Sequence, residues 1–572
     1  MLNTHKVVIL KFGSSVLRGE EDLPRVVHEI YRWWRDGACV IAVVSAFSGT
    51  TDRLLQQAER VGQSGDPSML ANLLATGEAA SSALLGLSLT RFGIPARVLD
   101  SSQAGLRTVG DQLDADLISV DSLRLFNETQ HAVVVLPGFV GRNDAGEISL
   151  LGRGGSDYSA LFLAHYLKAH CVLIKDVDGL YVNSPSNNGN HGPRFEEVSY
   201  ETAMRLAGSL VQSKAIRFAA EQRLNFTITG VGTKAATQVG SFSDRLDGHA
   251  SAPGPLRVTL LGCGTVGGGV YLALSELPDL FTIVGVGTRT VERAWRLGVP
   301  RELVTHDLES LVEKPADVVV ELIGGTDRAL RLTERALKLG RDVVTANKSL
   351  IALAGESMKF LGHTNGGSLR YSATVGGVMP ALEAIQRLRS VSALRGFWGV
   401  LNGTTNFILD QLAAGHEFDA AVKVAQERGY AEADPRQDLD GVDAAHKLVI
   451  LARAAFDLDL PFNMIKRRSL RDLKAEEVRS AHSRELRTRY VASCRRVGNR
   501  LEASVEPVEL PLHHPLAHVR GTQNRLFIEP EIGEPVTVSG EGAGRWPTTE
   551  AVLADLFEVK VSLKEKQRRV VV

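Results

Sequence analysis

The first fifty residues set the grammar of the chain. An apolar run at residues 7–10 stops at a glycine turn, a helical pattern passes through Tyr31 to Arg35, and a second apolar run covers residues 39–44. Short apolar runs that alternate with helical periods predict parallel strands joined by crossover helices. The same alternation recurs at residues 132–135, 158–167 and 172–174, each followed by a glycine-bearing turn. Residues 233–255 (TKAATQVGSFSDRLDGHASAPGP) lose that periodicity and are rich in Gly, Ala, Ser and Pro, which predicts a linker. A strand pattern at residues 256–261 then runs into GCGTVGGG, and strand and helix alternate again to about residue 344. From 371 to 456 glycine turns flank longer helical patterns. Short strands, the HPLAHVRG segment, a final helix at 548–556 and a mobile basic tail, KEKQRRVVV, complete the expectation.

Length and charge narrow the function classes. At ~150 residues per domain, 572 residues require more than one core. Lys and Arg number 65 against 66 for Asp and Glu, with no long run of either sign, so the electrostatic footprint of a nucleic-acid binder is missing. Cys39, Cys171, Cys263 and Cys494 lack metal-type spacing and are read as reduced, buried thiols. No run approaches the ~18 uninterrupted apolar residues of a membrane span. The N-terminus reaches polar residues too soon for a signal peptide, so the expectation is a cytoplasmic protein with neither membrane nor nucleic-acid partners.

Lys11 follows the first strand in LKFGSS. There Gly13 lets the backbone approach phosphate oxygens, and the ammonium can neutralise charge in a loose phosphoryl transition state. GRGGSD at residues 152–157 opens a helix whose N-terminal amides would face an anion. KDVDGLY puts Asp176 and Asp178 at a strand end, where carboxylates suit Mg2+ or nucleotide hydroxyls. Singly, each motif reads equally well as caps and turn aspartates. In order, KFG, VVSAFSGTTD, the Gly77–Glu78 pair, GFVGRNDAGEISLLGRGGSD and KDVDGLY make residues 5–230 resemble aspartokinases of the amino-acid kinase family. The resemblance implies that Lys11 and Asp157 organise the transferred phosphoryl group. It also implies that Ser45, Thr51, Glu78 and Arg153 hold aspartate, and that Gly13 and Asp178 lie near ATP and its Mg2+. The chain departs from the family at KFGSSV, which stands for KFGGTS. Ser14 replaces a glycine there, at a strain of order 1–3 kcal/mol if its φ is positive, and Val16 replaces a hydroxyl residue. QSKAIRF around Lys214 stands for a GAKVLHP-like segment, and NSPSNNGN for DPR, so weakened ATP binding is expected. The paired ferredoxin-like regulatory modules usual in that family do not fit in residues 233–255, because one βαβ unit takes about 30 residues.

GCGTVGGG lies between a strand and a helix, the context a dinucleotide-binding loop needs, with Gly262, Gly264 and Gly267 as its glycines and Thr265 and Val266 between them. The next strand ends without an acid and carries Arg289, with Arg293 one turn on, which favours a 2′-phosphate and hence NADP; solvated surface charge is the plainer alternative. Lys348 falls just past a strand end, and Asp443 and Lys447 are spaced i, i+4 with Glu432 and Asp438 in the loop before them. An exposed pair at that spacing contributes only ~0.2–0.5 kcal/mol. This helix, however, continues into LVILARAAF, which predicts a buried lysine tuned for proton transfer. His446, on another helix face, is read as a packing or surface residue, and Cys263 as a small filler in the glycine loop.

GCGTVGGG, ELIGGTD, VVTANKSL, YSATVGGVMP, VLNGTTNFIL and ADPRQDLDGVDAAHKL, in that order, closely resemble homoserine dehydrogenase over about residues 256–558. The resemblance implies that Lys447 and Lys348 handle the proton on the substrate oxygen, that Asp443 and Asp438 position substrate and lysine, and that Glu432 receives the homoserine ammonium. Thr404, in the NGTTN loop, would line the site. A monovalent cation, Na+ or K+, would bind backbone carbonyls at Val375 and Gly377, although Ser372 replaces the family's glutamate.

The expected fold class is α/β. An amino-acid-kinase-like α/β/α domain (1–232) and a linker (233–255) precede a Rossmann dinucleotide-binding domain (256–370), an α+β substrate and dimerisation domain (371–558) and a tail (559–572). The expected function is bifunctional: ATP-dependent phosphorylation of L-aspartate, and NADPH-dependent interconversion of aspartate semialdehyde and homoserine, in a homo-oligomer paired through the dehydrogenase half. The alternative is a monofunctional homoserine dehydrogenase whose kinase-like domain serves assembly or sensing.

Overall fold

The computed structural model describes residues 7–61, 66–183, 192–206, 208, 210–247, 254–498 and 500–571, with side chains to residue 563. Most of the NSPSNNGN segment and residues 248–253 of the expected linker lie outside them. The chain forms two compact units that part between Pro253 and Gly254.

The first unit is built on a nine-stranded sheet. Its order is Arg245–Leu246, Phe195–Ser199, Ala236–Gly240, Phe226–Gly230, His170–Lys175, Val7–Phe12, Cys39–Val44, Val133–Pro137 and Ala96–Val98. The central strands run parallel. Val7–Phe12 (VVILKF) and Cys39–Val44 (CVIAVV) are buried at every position, the composition a sheet covered on both faces requires. Ile9, Ile41, Val134 and Leu173 pack with Leu161 and Phe162 of helix Gly155–Leu167 in the unit's main core. Helix Pro67–Arg91 is long and apolar enough, by length and composition, to cross a membrane. Here it buries Ala71, Leu74, Leu85 and Leu89 and carries Glu78 inward.

Residues 233–255 are not a plain linker, and that expectation is corrected. Ala236–Gly240 pairs with two neighbouring strands, and Arg245–Leu246 forms the sheet edge. The strand escaped notice because its inward positions include Thr237. That hydroxyl accepts from Leu180 N (2.9 Å) and donates to Phe195 O (2.6 Å), so burial follows from polar partners and not from an apolar period.

The second unit opens with a six-stranded parallel sheet in the order Val304–Thr305, Phe281–Gly287, Leu256–Leu261, Val318–Glu321, Asp342–Thr345 and Leu369–Arg370. The winding direction reverses between Leu256–Leu261 and Val318–Glu321, and such a reversal opens a ligand crevice at the strands' carboxyl ends. A second six-stranded sheet follows, with Leu394–Val400 between Leu486–Val497 and Gln523–Pro530. Where short strands were expected, Leu486–Val497 and Arg500–Pro511 form a hairpin of two 12-residue strands.

The last helix spans Arg545–Val571, so it runs through the expected boundary at 558 and into the expected tail. It returns to the dinucleotide domain. Ala551, Val552, Leu556 and Phe557 share a core with Val270, Tyr271 and Leu274, and the Phe557 ring lies 5.2 Å from that of Phe281. Lys560 Nζ donates to the carbonyls of Leu280 (3.0 Å) and Gly254 (3.3 Å). Gly269 makes the approach feasible, since a Cβ there would sit 2.3 Å from Thr549 Oγ1.

Candidate functional sites

In the first unit, Lys11 is the fifth residue of Val7–Phe12 and Lys175 ends the adjacent strand His170–Lys175. Asp157, in the first turn of Gly155–Leu167, meets both. Lys11 Nζ is 2.7 Å from Oδ1, and Lys175 Nζ is 3.1 and 3.0 Å from Oδ1 and Oδ2. All three side chains are buried. Burial opposes the Asp157 charge, yet Lys11 and Lys175 hold the carboxyl below its ordinary range. Burial and the neighbouring Lys11 push Lys175 down to about 8 against the pull of Asp157.

The three face a cleft of about 1010 Å³ whose walls include Gly13, Ser45, Thr51, Glu78 and Arg153, so the structure brings these expected residues together. Ser45 Oγ donates to Ser156 Oγ (2.9 Å). Glu78 accepts from Ala46 N at 3.2 Å through Oε1, while its buried Oε2 has no partner; burial raises the carboxyl to about 7. Asp178 is not part of the wall. Its carboxylate is held by the Tyr181 hydroxyl, and Asp176 takes the place at the cleft. The strain expected at Ser14 is also corrected, because its φ is not positive; glycines take that role at Gly152 (71°) and Gly154 (76°). Lys214 is tied to Asp114 (2.8 Å), Asp116 (3.1 Å) and the carbonyls of Ala115 and Leu151. Sequence reasoning missed Lys175, although KDVDG displayed it, because the aspartates drew the attention.

In the second unit, Lys348 begins helix Lys348–Thr364, and Asp443 and Lys447 lie one turn apart on Val442–Phe456. Asp443 joins them, with Oδ1 2.5 Å from Lys348 Nζ and Oδ2 2.9 Å from Lys447 Nζ. Lys447 Nζ also donates to Leu401 O (2.6 Å). Asn402 Nδ2 links Asp438 (2.7 Å) to Asp443 (3.0 Å), and its Oδ1 caps the NGTTN helix by accepting from Thr405 N (2.9 Å). Burial disfavours the Asp443 charge, but Lys447 and Lys348 hold its carboxyl far below the usual range. Lys348 is raised by Asp443, with Asp438 and Glu432 adding to the effect. Burial and the charge on Asp443 raise Asp438. Thr404 Oγ1 donates to Tyr430 O (2.6 Å), and Glu432 is exposed. Glu321, unnoticed inside ELIGG, is fully buried. It accepts from Thr345 Oγ1 (2.6 Å) and Ile323 N (2.9 Å), and burial raises its carboxyl.

The GCGTVGGG loop meets Val318–Glu321 at the winding reversal. A Cβ on Gly262 (φ 106°) would lie 2.5 Å from Leu322 O, and one on Gly267 2.0 Å from Gly262 O, while Gly264 faces open space. Arg289 is exposed and makes no ion pair with a described residue; Arg293 Nη2 donates to Thr265 Oγ1 (3.3 Å). His446 lies against Phe462, and Cys263 is buried.

A model of the amino acid kinase family matches residues 6–228. The model described as homoserine dehydrogenase, NAD binding domain, matches 262–363, and the one described as homoserine dehydrogenase matches 380–557. The homoserine dehydrogenase of Bacillus subtilis is 32% identical over 319 residues, 54% of this chain and 74% of its own length. That of Pseudomonas aeruginosa is 34% identical over 313 residues, 53% of this chain and 72% of its own. The crystal structure of a homoserine dehydrogenase from Thiobacillus denitrificans superposes with a TM-score of 0.51 at 35% identity, covering 54% of this chain and 73% of that one.

Glu78 generates a stability prediction. With its carboxyl near 4.5 when unfolded and about 7 when folded, its contribution is complete below pH ~4.5 and is lost as pH climbs through 7. The loss is on the order of 3 kcal/mol. Thermal melts of the full chain and of Glu78→Gln should therefore differ more in the variant's favour at pH ~8 than at pH ~5. Parallel profiles would show that Glu78 does not titrate in this window.

Proposed function

The chain belongs to the homoserine dehydrogenase family and carries an amino acid kinase domain besides, and on that premise we propose a bifunctional enzyme. Its second unit interconverts aspartate semialdehyde and L-homoserine with NADPH, and its first phosphorylates L-aspartate with ATP to 4-phospho-L-aspartate. The two reactions flank one reduction, that of the acyl phosphate to the semialdehyde, on a route towards threonine and methionine.

The observation that carries the dehydrogenase roles is the bridging of Lys348 and Lys447 by Asp443. Lys447 is fixed by Asp443 and the Leu401 carbonyl, while Lys348 is part-exposed and kept protonated by the carboxylates around it. The pair can hold the proton that the substrate oxygen gains on reduction. Asp443 orients both lysines, Asn402 joins Asp438 to that network, and Glu432 offers an exposed carboxylate to the substrate ammonium. The glycine cradle at Gly262, Gly264 and Gly267 fits a dinucleotide, which would supply the hydride, and the helix that begins at Thr265 and Val266 would offer its N-terminal amides to the phosphates. Arg289, exposed at the end of a strand without an acid, supports NADPH over NADH. A Na+ or K+ would meet hard carbonyl donors at the Val375–Gly377 turn. There Gly376 and Gly377 both take positive φ, and a Cβ on Gly377 would lie 2.5 Å from Glu541 O.

The kinase half rests on the Lys11–Asp157 contact inside the cleft. Gly13 fits a phosphate cradle, since a Cβ there would lie 2.8 Å from the Lys11 ammonium. Ser45, Thr51 and Arg153 offer polar contacts to aspartate, and the unpartnered Glu78 Oε2 suits its ammonium. Among the described residues no three His, Cys, Asp or Glu side chains cluster as a metal site, so Mg2+ would arrive with the nucleotide phosphates, with Asp176 at hand. The absence of positive-φ strain at Ser14 supports the catalytic reading.

Three outcomes are expected. Lys447→Ala should lower homoserine oxidation kcat by ~10²–10⁴-fold with an unchanged melting temperature; near-normal turnover would make Lys447 a structural ion-pair partner. NADPH should exceed NADH in kcat/KM, and Arg289→Asp should penalise NADPH selectively, an idea that equal use of the two cofactors would sink. Wild-type chain should release ADP in an aspartate-dependent way, trapped as the hydroxamate, and Lys11→Ala should abolish it. The absence of a wild-type signal above the Lys11→Ala background would leave a dehydrogenase with a kinase-like assembly or sensing domain.

A further inference from the structure

Lys175 has no role in the reading above, yet it occupies the same carboxylate as Lys11. Each lysine side chain is about 6% exposed and Asp157 4%, so two ammoniums and one carboxylate share a nearly dry volume at adjoining strand ends. Like charges confined in this way repel, and one carboxylate balances only one of them. The other acids nearby do not make up the difference. Asp176 is exposed, forms no ion pair with either lysine and is the smallest of the influences on Lys175, and burial turns Glu78 towards its neutral form. The lowered Lys175 pKa, with burial and Lys11 as its main causes, is the mark of a cation short of counter-charge. Three further features make the space in front of the pair suitable for an anion. It opens on the cleft, Gly13 leaves room over the Lys11 ammonium, and a 13-residue helix begins beside it at Gly155. Lys214, the other lysine of this region, is consumed by two carboxylates and two carbonyls and cannot serve.

We propose that Lys175 is a second cationic ligand of the phosphoryl group being transferred, which lies between the Lys11 and Lys175 ammoniums while Asp157 holds the two at a fixed spacing. The inference rests on the kinase reading of this cleft and deepens it. In the transfer, a side-chain carboxylate oxygen of aspartate forms a bond to the γ-phosphorus as the bond from that phosphorus to the β–γ bridging oxygen breaks. ADP leaves with the electron pair, and no proton moves. The lysines act on the three equatorial oxygens, whose charge is spread but undiminished in a loose transition state.

The test uses the full chain and the variants Lys175→Gln, Lys175→Met and Lys175→Arg, with homoserine oxidation and the thermal melt as controls for folding. Binding of inorganic triphosphate and of Mg2+–ATP is measured by calorimetry, and aspartate-dependent ADP release by initial rates. Lys175→Gln and Lys175→Met should weaken triphosphate binding about tenfold or more and lower kcat at least as much, the scale of one charge-assisted contact. KM for aspartate should stay within about twofold, and Lys175→Arg should recover part of both losses. If Lys175 serves only to neutralise Asp157, the Gln and Met variants will bind triphosphate as well as wild type or better, and the proposal is overturned. It is equally overturned if wild type binds no triphosphate. Lys175-dependent triphosphate binding without any aspartate-dependent turnover would refute the aspartate kinase reading alone and leave Lys175 as an anion ligand.

Discussion

A buried aspartate between two lysines is the arrangement on which both units depend. Asp157 joins Lys11 to Lys175, and Asp443 joins Lys348 to Lys447, all at distances of 2.5–3.1 Å. Removing two ammoniums from water costs more than one carboxylate returns, unless further acceptors or a ligand complete the balance. The dehydrogenase unit completes it internally. Leu401 O accepts from Lys447, Asp438 stands beside Asp443 through Asn402, and Lys348 keeps part of its surface in solvent. The first unit leaves it open, with both lysines buried, Asp176 exposed and Glu78, which shares the cleft, tending to its neutral form. The same set of one aspartate and two lysines is therefore balanced from within in one unit and left open to a cleft in the other.

Backbone clearance is the second constraint, and glycines satisfy it at close approaches that the sequence could not attribute. Gly262 and Gly267 allow the dinucleotide loop to fold against its own backbone and that of Leu322. Gly269 has a different partner, the helix Arg545–Val571, whose Thr549 hydroxyl occupies the space a Cβ would need. The GCGTVGGG run that reads as a single dinucleotide signature thus does two jobs. Its second half lets a helix nearly three hundred residues later close the domain's core.

The departures from the aspartokinase pattern look different once their surroundings are known. Ser14 sits in ordinary backbone space and lines the cleft, while Val16 is buried. The lysine of KDVDG, by contrast, adds a second ammonium on Asp157 at the wall of the cleft, and Lys214 is held by Asp114, Asp116 and the Leu151 carbonyl.

The sequence by itself determined the strand–helix alternation at the centre of the nine-stranded sheet and of the dinucleotide-domain sheet, the position of the dinucleotide loop, and the pairing of Asp443 with Lys447. Each of these is written in local periodicity or i, i+4 spacing, which a single helix or strand must obey whatever surrounds it. The tertiary structure alone decided that Lys175 faces Lys11, that Lys348 reaches Asp443, that Glu321 is sealed beneath Thr345, and that Asp176 rather than Asp178 turns to the cleft. It also decided that Ala236–Gly240 is a strand and that the last helix returns to the dinucleotide sheet. Those facts depend on contacts between residues far apart in the chain. Nothing in the local pattern records them, because Thr237 is buried by its hydrogen-bond partners, and the closing helix by a space left open at Gly269.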